Sequence, residues 1–221
     1  MNVKTSSNST RRNYDSPKRR QQAGATRLRI LAVAERQFAA RGYGAVKMEE
    51  IAHEAKVSLA SLYLHFPGRA ALVSALADAI TAMPDLDVGQ VLRDVSPIER
   101  VRTGAHILAQ LNERAWLVTD ILRSFKGNEP ELARQWARWQ EGHLSAVRRG
   151  IEALADLGAL REGLSVEAAS DIFYAIAGPE VYRLLVRERG WSSDDYGRWL
   201  FEIACRELLP PRSASARDSR A

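Results

Sequence analysis

The residues best suited to acid–base or metal chemistry are four histidines, His53, His65, His106 and His143. Their separations match no metal-ligand pattern, and no glycine-rich phosphate loop or nucleophile motif accompanies them. The single cysteine, Cys205, has no second cysteine with which to form an intrachain disulfide or a thiolate metal site. No catalytic residue, metal or cofactor is therefore expected. His143 shares an apolar helical face with Trp136 and Trp139, and two readings stay open for it: a satisfied core histidine and a ligand contact.

The remaining chemistry is electrostatic. The chain carries a net charge of +5 over 221 residues, and the charge is unevenly divided. Residues 1–22 hold Lys4, Arg11, Arg12, Lys18, Arg19 and Arg20 against Asp15 alone, a local charge of +5. Residues 23–69 hold seven basic and four acidic groups, whereas the remaining 152 residues hold 19 basic and 22 acidic ones. Binding to a polyanion, if it occurs, belongs to the N-terminal third. For the basic arm alone, a solubilising tail is the competing reading.

With 46% hydrophobic and 27% charged residues, the chain has globular composition, which argues against wholesale disorder. At about 150 residues per domain it fits one large domain or two small ones. No apolar stretch approaches the roughly 18 residues of a membrane span, and residues 1–22 lack the apolar block of a signal peptide. A soluble cytoplasmic protein with no membrane partner is expected.

The elements that must position these groups read as helices. Residues 1–22 show no apolar period and read as a disordered arm. Thr26 can cap a first helix bearing Ile30, Leu31, Ala34 and Phe38, which Gly42 ends. A short helix over 47–55 buries Met48, Ile51, Ala52 and Ala55; Val57 is expected to be buried, and Ser58 caps a second short helix over 59–66. Two short helices joined by a tight turn form a helix-turn-helix candidate. After Pro67 and Gly68, a helix over 69–83 turns Leu72, Val73, Leu76, Ala79, Ile80 and Met83 inward and stops at Pro84. The polar stretch 85–95 reads as a linker.

Ser96 and Pro97 start the next helix, with Val101, Ala105 and Leu108 inward. Helices over 114–125 and 129–157 follow. The second of these places Trp136, Trp139, His143, Val147, Ile151 and Leu154 on one face and Arg134, Arg138, Glu141, Ser145, Arg148 and Glu152 on a solvated one. Helices over 166–189, kinked at Gly178 and Pro179, and 194–209 close an all-α fold, and the polar tail is expected to be mobile. The expected organisation is thus an arm (1–22), a helix-turn-helix domain with a connecting helix (23–83), an effector-binding and dimerisation domain (84–210) and a tail (211–221).

Residues 26–76, with R-I-L-A-V-A-E-R-Q-F-A-A-R-G-Y followed by M-E-E-I-A-H-E-A-K-V-S-L-A-S-L-Y-L-H-F-P-G-R-A-A-L, resemble the DNA-binding domain of the TetR family of bacterial transcriptional regulators. The second short helix of a helix-turn-helix enters the major groove with its first residues against base edges, which assigns Leu59, Ala60, Ser61 and Tyr63 to the bases. The resemblance also implies phosphate contacts near Tyr63, His65 and Arg69, with Lys47 at the start of the preceding helix and Ser58 at the cap. A partly buried Tyr63 and a merely solvated Arg69 remain alternatives. The family usually carries Thr or Ser where this chain has Val46 and Lys47, so the hydroxyl cap is missing. It usually has Gly where this chain has Lys56. Either the turn geometry differs or Lys56 reaches a phosphate, because a non-glycine residue in the left-handed region costs about 1–2 kcal/mol.

The resemblance implies a ligand-responsive repressor of a palindromic double-stranded operator, acting as a homodimer and released by a small apolar or aromatic effector. The expected interface uses Ile172, Phe173, Ile176, Val181, Leu184, Leu185, Trp199, Leu200 and Ile203 of the last two helices. The expected effector pocket draws on Trp116, Phe125, Trp136, Trp139, His143 and Phe173, although aromatic residues at helical spacing also suit a packed core. A helical enzyme and a protein-docking module are the alternatives. Turnover of a small molecule would mark the first, and failure to bind any duplex would mark the second.

Overall fold

The computed structural model describes the backbone of residues 17–82 and 95–211, and side chains within them from Arg20 onward. The arm up to residue 16, Met83, Pro84, nearly all of the expected linker and the tail from residue 212 lie outside the described residues. The chain divides into two compact units between Pro67 and Gly68.

The first unit holds α1 (Pro17–Arg41), a 3-10 turn (Tyr43–Ala45), α2 (Met48–Glu54) and α3 (Leu59–His65). Helix α1 begins at Pro17, so residues 17–22 of the expected disordered arm are helical and Thr26 lies inside a helix instead of capping one. Proline is pre-organised for a first helical position, and the lysine, arginine and glutamine residues that follow are good helix formers without an apolar stripe. Ile30, Val33, Ala34 and Phe38 of α1 are buried, as are Ile51, Ala52, Leu62 and Phe66 of the other elements. Val57 is only half-buried, short of the full burial expected for it.

The second unit begins with α4 (Arg69–Thr81), followed by α5 (Pro97–Phe125), α6 (Pro130–Ala155), α7 (Val166–Ala177), α8 (Pro179–Tyr182) and α9 (Ser193–Leu208). Helix α4 packs on α5 and α6, so it is part of this unit and not of the helix-turn-helix unit to which its connecting position suggested it belonged. Gln135 of α6 donates to Asp78 of α4 at 3.1 Å. Ala79, expected inward, is exposed; Ala75 and Ala77 are buried instead.

Two expected helices over 97–125 are one, α5. No glycine or proline interrupts the stretch around Asn112, and the polar side chain that breaks the apolar pattern there is buried and used. Its amide donates to the carbonyl oxygen of Ala177 at 2.8 Å and to the Tyr196 hydroxyl at 3.4 Å. Ala177 is the last residue of α7, where Gly178 leaves the helical region at φ −69° and ψ 159° and Pro179 starts a new helix. The expected kink is therefore a break. Pro179 has no N–H to donate to Ala175 in the preceding turn, and Asn112 satisfies the carbonyl of Ala177 that the break at Gly178 leaves outside the helix, as a buried polar group requires. Beyond α8 the chain continues as a π-helical turn, Arg183–Glu188, in which the amide of Arg189 donates to the carbonyl of Leu184 at 3.0 Å.

A hydrophobic cluster joins α5, α6, α7, α8 and α9 through Val101, Ala105, Val147, Ile151, Phe173, Tyr182, Tyr196 and Leu200. None of the described helices is long and apolar enough to cross a membrane.

Candidate nucleic-acid interface

Helix α1 ends at Gly42, whose φ of 79° lies in the left-handed region that favours glycine. The 3-10 turn then buries Tyr43 against Phe38, with ring centroids 5.4 Å apart. Helix α2 starts without a hydroxyl cap. Glu50 supplies the reciprocal half of a capping box, its carboxylate accepting the backbone N–H of Lys47 at 3.0 Å. The same carboxylate receives Arg41 of α1 at 3.0 Å. The Arg41 hydrogen bond, and then that of the Lys47 backbone, hold the Glu50 carboxyl below the usual range. Glu54 is held low in the same way by Arg36 and then Gln37, two further α1 side chains. Arg29 donates to the carbonyl of Ala55 at 2.8 Å, closing the other end of α2.

The turn out of α2 is a Schellman motif. The Val57 amide donates to Ala52 at 3.0 Å and the Lys56 amide to His53 at 3.1 Å. Lys56 occupies the left-handed position with φ 55°, and among the described residues it is the only non-glycine residue with positive φ. Of the two alternatives posed for Lys56, the one in which the turn geometry changes is therefore ruled out. Lys56→Gly is expected to stabilise the first unit by up to about 1 kcal/mol, because relief of the left-handed strain exceeds glycine's entropic cost. Chemical denaturation would measure this, and an unchanged or lowered midpoint would show that Lys56 makes a compensating interaction.

Helix α3 is capped by Ser58, whose hydroxyl accepts the Ser61 amide at 3.1 Å. Leu62 and Phe66 lock the inner side, each almost completely buried. Ala60 and Tyr63 are exposed, Leu59, Ser61 and His65 are half-buried, and Lys47, Lys56 and Ser58 are exposed around them. Tyr63, at 45% exposure, is not a core residue. Arg69 is half-buried at the start of α4, in the second unit.

Two features of this surface do not follow from the sequence reading. Arg27 of α1 lies 4.3 Å from the centre of the Phe66 ring and donates to the carbonyl of His65 at 3.4 Å, tying α1 to the end of α3. Leu64 is also strongly exposed on α3. Its odd position beside the apolar Leu62 was the available signal, whereas nothing local in the sequence links Arg27 to Phe66.

The family model described as bacterial regulatory proteins, tetR family, matches residues 30–76. The HTH-type transcriptional regulator YdeS of Bacillus subtilis, itself uncharacterized, is 30% identical over 168 residues, covering 73% of this chain and 79% of YdeS. The chain belongs to the TetR family.

It is a DNA-binding transcriptional regulator of that family, and its relatives are regulators, not enzymes. The fold agrees. A protein from Mesorhizobium loti described as a TetR-family transcriptional regulator superposes with a TM-score of 0.68 at 18% identity, over 85% of this chain and 98% of that one. A regulator from Saccharomonospora viridis in complex with choline superposes with a TM-score of 0.67 at 21% identity, over 84% and 98%.

In this TetR-family chain the six expected effector residues do not form one cluster. Phe173 is buried in the main cluster and the half-buried Trp116 packs against it, while Trp136 and Trp139 are buried outside it. Phe125 is half-buried at the end of α5. The protein's own cations cover two of the rings: Arg187 lies 5.0 Å from the Trp116 ring centre and Lys126 5.0 Å from that of Trp136. His143 lies 5.1 Å from the Tyr174 ring, and its buried Nε2 has no hydrogen-bond partner. Two open surface concavities, one lined by Gln37, Glu49, Glu50, His53 and Glu54 and the other by Trp191, Asp195, Arg198, Trp199 and Glu202, include none of the six.

Proposed function

We propose that this TetR-family regulator is a repressor that binds a palindromic duplex as a homodimer and is released by a small apolar or aromatic effector. The observation that carries the DNA part is the α2–α3 unit. A capped helix with its inner side locked presents Ala60, Ser61 and Tyr63 outward, with the cations Lys47 and Lys56 at the start of α2 and in the turn. Base edges then meet the first turns of α3, while Lys47, Lys56, His65 and Arg69 serve phosphates.

Dimerisation through the segment from α7 to the π-helical turn and through α9, the last two helices expected from the sequence, is supported by apolar groups that the single chain leaves uncovered. Leu184 is exposed, and Ile172, Ile176, Val181, Leu185, Trp199 and Ile203 are only half-buried. Phe173 and Leu200 are already buried within one chain and belong to its core instead. An obligate interface of this kind buries over about 2,000 Å². Sedimentation that finds only monomers at micromolar concentration would remove it.

The effector reading rests on His143, whose Nε2 is buried without a partner beside Tyr174 on the helix that also carries the buried Trp136 and Trp139, with Trp116, Phe125 and Phe173 on the neighbouring helices. A fold neighbour holds choline, so small-ligand binding is compatible with this architecture. Ligand would act by favouring a state with lower operator affinity, limited by its differential affinity for the two states.

The decisive experiment is footprinting of the purified protein on DNA flanking its own coding region, with and without candidate small molecules. Protection of a palindrome that a ligand relieves is the expected result; no protection at any salt concentration would overturn the proposal. The basic arm is assigned to DNA binding in the same scheme. Removing residues 1–16, which leaves α1 intact, is expected to flatten the salt dependence of log K by about 0.9 for each phosphate that the arm had neutralised. An unchanged slope would leave those residues a solubilising role alone.

A further inference from the structure

Leu64 is the most exposed large apolar side chain among the described residues, at 87%. Its place on α3 is not a folding requirement. Leu62 and Phe66 already fill the inner side, Ser58 caps the start, and Arg27 fastens the end. A leucine held in water forgoes the gain of burial, so its surface is available to something that arrives. Leu64 stands four residues after Ala60, which places the two on one face of the helix.

We propose that Leu64, with Ala60 beside it, reads the C5-methyl group of a thymine in the major groove, so that each half-site carries thymine at that step. The inference rests on α3 being the helix that enters the groove. The chemistry narrows the choice. A side chain without donor or acceptor cannot pair with the O6 and N7 of guanine or the N6 and N7 of adenine, and the one apolar feature of a base edge in the major groove is the thymine methyl. The remainder of α3 supports the same choice, because Leu59–His65 contains no arginine, lysine, asparagine or glutamine for bidentate readout. Polar discrimination falls to Ser61, Tyr63 and His65, and methyl recognition supplies what they lack. DNA, and not a second protein, is the occupant favoured by charge: Lys47 at the start of α2 and Lys56 in the turn before α3 are both exposed.

The test uses duplexes selected from a random pool by the full-length protein. Each thymine of the preferred half-site is replaced in turn by deoxyuridine, which keeps the pairing and removes only the methyl. At one thymine per half-site the replacement is expected to weaken binding three- to fourfold, and about tenfold when both half-sites are changed. Leu64→Ala is expected to weaken binding to the thymine duplex by a similar factor and to become indifferent to deoxyuridine at that position alone. Circular dichroism confirms that the variant folds, as substitution of an exposed side chain should allow.

Equal deoxyuridine penalties in the variant and the wild-type protein would overturn the assignment, as would a preferred half-site without thymine. So would a Leu64→Ala protein with unaltered DNA affinity, whatever else it fails to bind. A Ser61→Ala, Tyr63→Ala double variant separates this inference from the reading beneath it. If that variant binds the selected duplex like wild type, α3 is not the reading helix and both ideas fall. If it weakens while the Leu64 and deoxyuridine penalties simply add, only the role of Leu64 falls.

Discussion

Replacing Ser61 and Tyr63 together by alanine is expected to lower affinity for the selected operator by a hundredfold or more while leaving the thermal midpoint nearly unchanged. Removing a base-specific interaction costs about 1–3 kcal/mol, and a symmetric site counts every substitution twice. The structure makes the two readouts separable. Tyr63 is 45% exposed and Ser61 half-buried, and the cap of α3 uses the backbone amide of Ser61, not its hydroxyl. Non-specific binding to random duplex should persist, because the lysines that serve phosphates are untouched. Electrophoretic shift or anisotropy titrations on both duplexes give the ratio. Equal affinity of variant and wild type for the selected site would remove α3 from the groove.

The parts of the fold legible in the sequence are those written in local punctuation. Gly42, Ser58 and the pair Ser96 and Pro97 each act on their own neighbours through backbone freedom or a short hydrogen bond, so their effects need no tertiary knowledge. The long apolar stripe of α6 was equally readable, because Trp136 through Leu154 repeat with helical spacing. What escaped was decided at a distance. The use of Asn112 in the middle of α5 is set by the carbonyl of Ala177, 65 residues away. Arg27 and Phe66 meet across 39 positions with nothing in either segment to announce it. The first turns of α1 escaped for another reason: their residues favour helix but show no apolar face, so periodicity was silent where propensity was not.

The glutamate that caps α2 illustrates how a departure from the family pattern is absorbed. A hydroxyl at position 47 would serve an amide two or three residues further on; Glu50 instead supplies the reciprocal half of the box, accepting the amide of Lys47 itself while also holding Arg41 of α1. A single carboxylate thus fixes both the start of α2 and its attachment to α1. The lysine in the left-handed turn is handled differently: the geometry is kept and the strain is retained. The strained residue is an exposed cation two residues before the α3 cap, and its backbone amide closes the turn onto His53.

His143 makes acid the most direct probe of the second unit. Burial at 8% exposure pushes its pKa down to about 4, from an ordinary 6.5, because a charged imidazole buried beside Tyr174 would lose its hydration. The unfolded chain therefore takes up a proton as pH falls below 6.5, while the folded chain resists until about 4. Stability is fully present above pH 6.5 and declines through that window, by about 3 kcal/mol at its lower end. The carboxyls of Glu50, Glu54 and Asp195 are also lowered, but their contributions fade only below their unfolded values of 4.5 and 3.8. The interval from pH 6.5 to 4.5 therefore isolates the histidine from these carboxyls. His143→Leu removes the titrating group and fills a similar volume, so its denaturation midpoint is expected to stay nearly flat over that interval while the wild type falls. The same decline in both proteins would place the acid sensitivity elsewhere. An apolar ligand whose donor meets Nε2 should oppose protonation further, shifting the wild-type decline to lower pH and leaving the leucine variant unmoved.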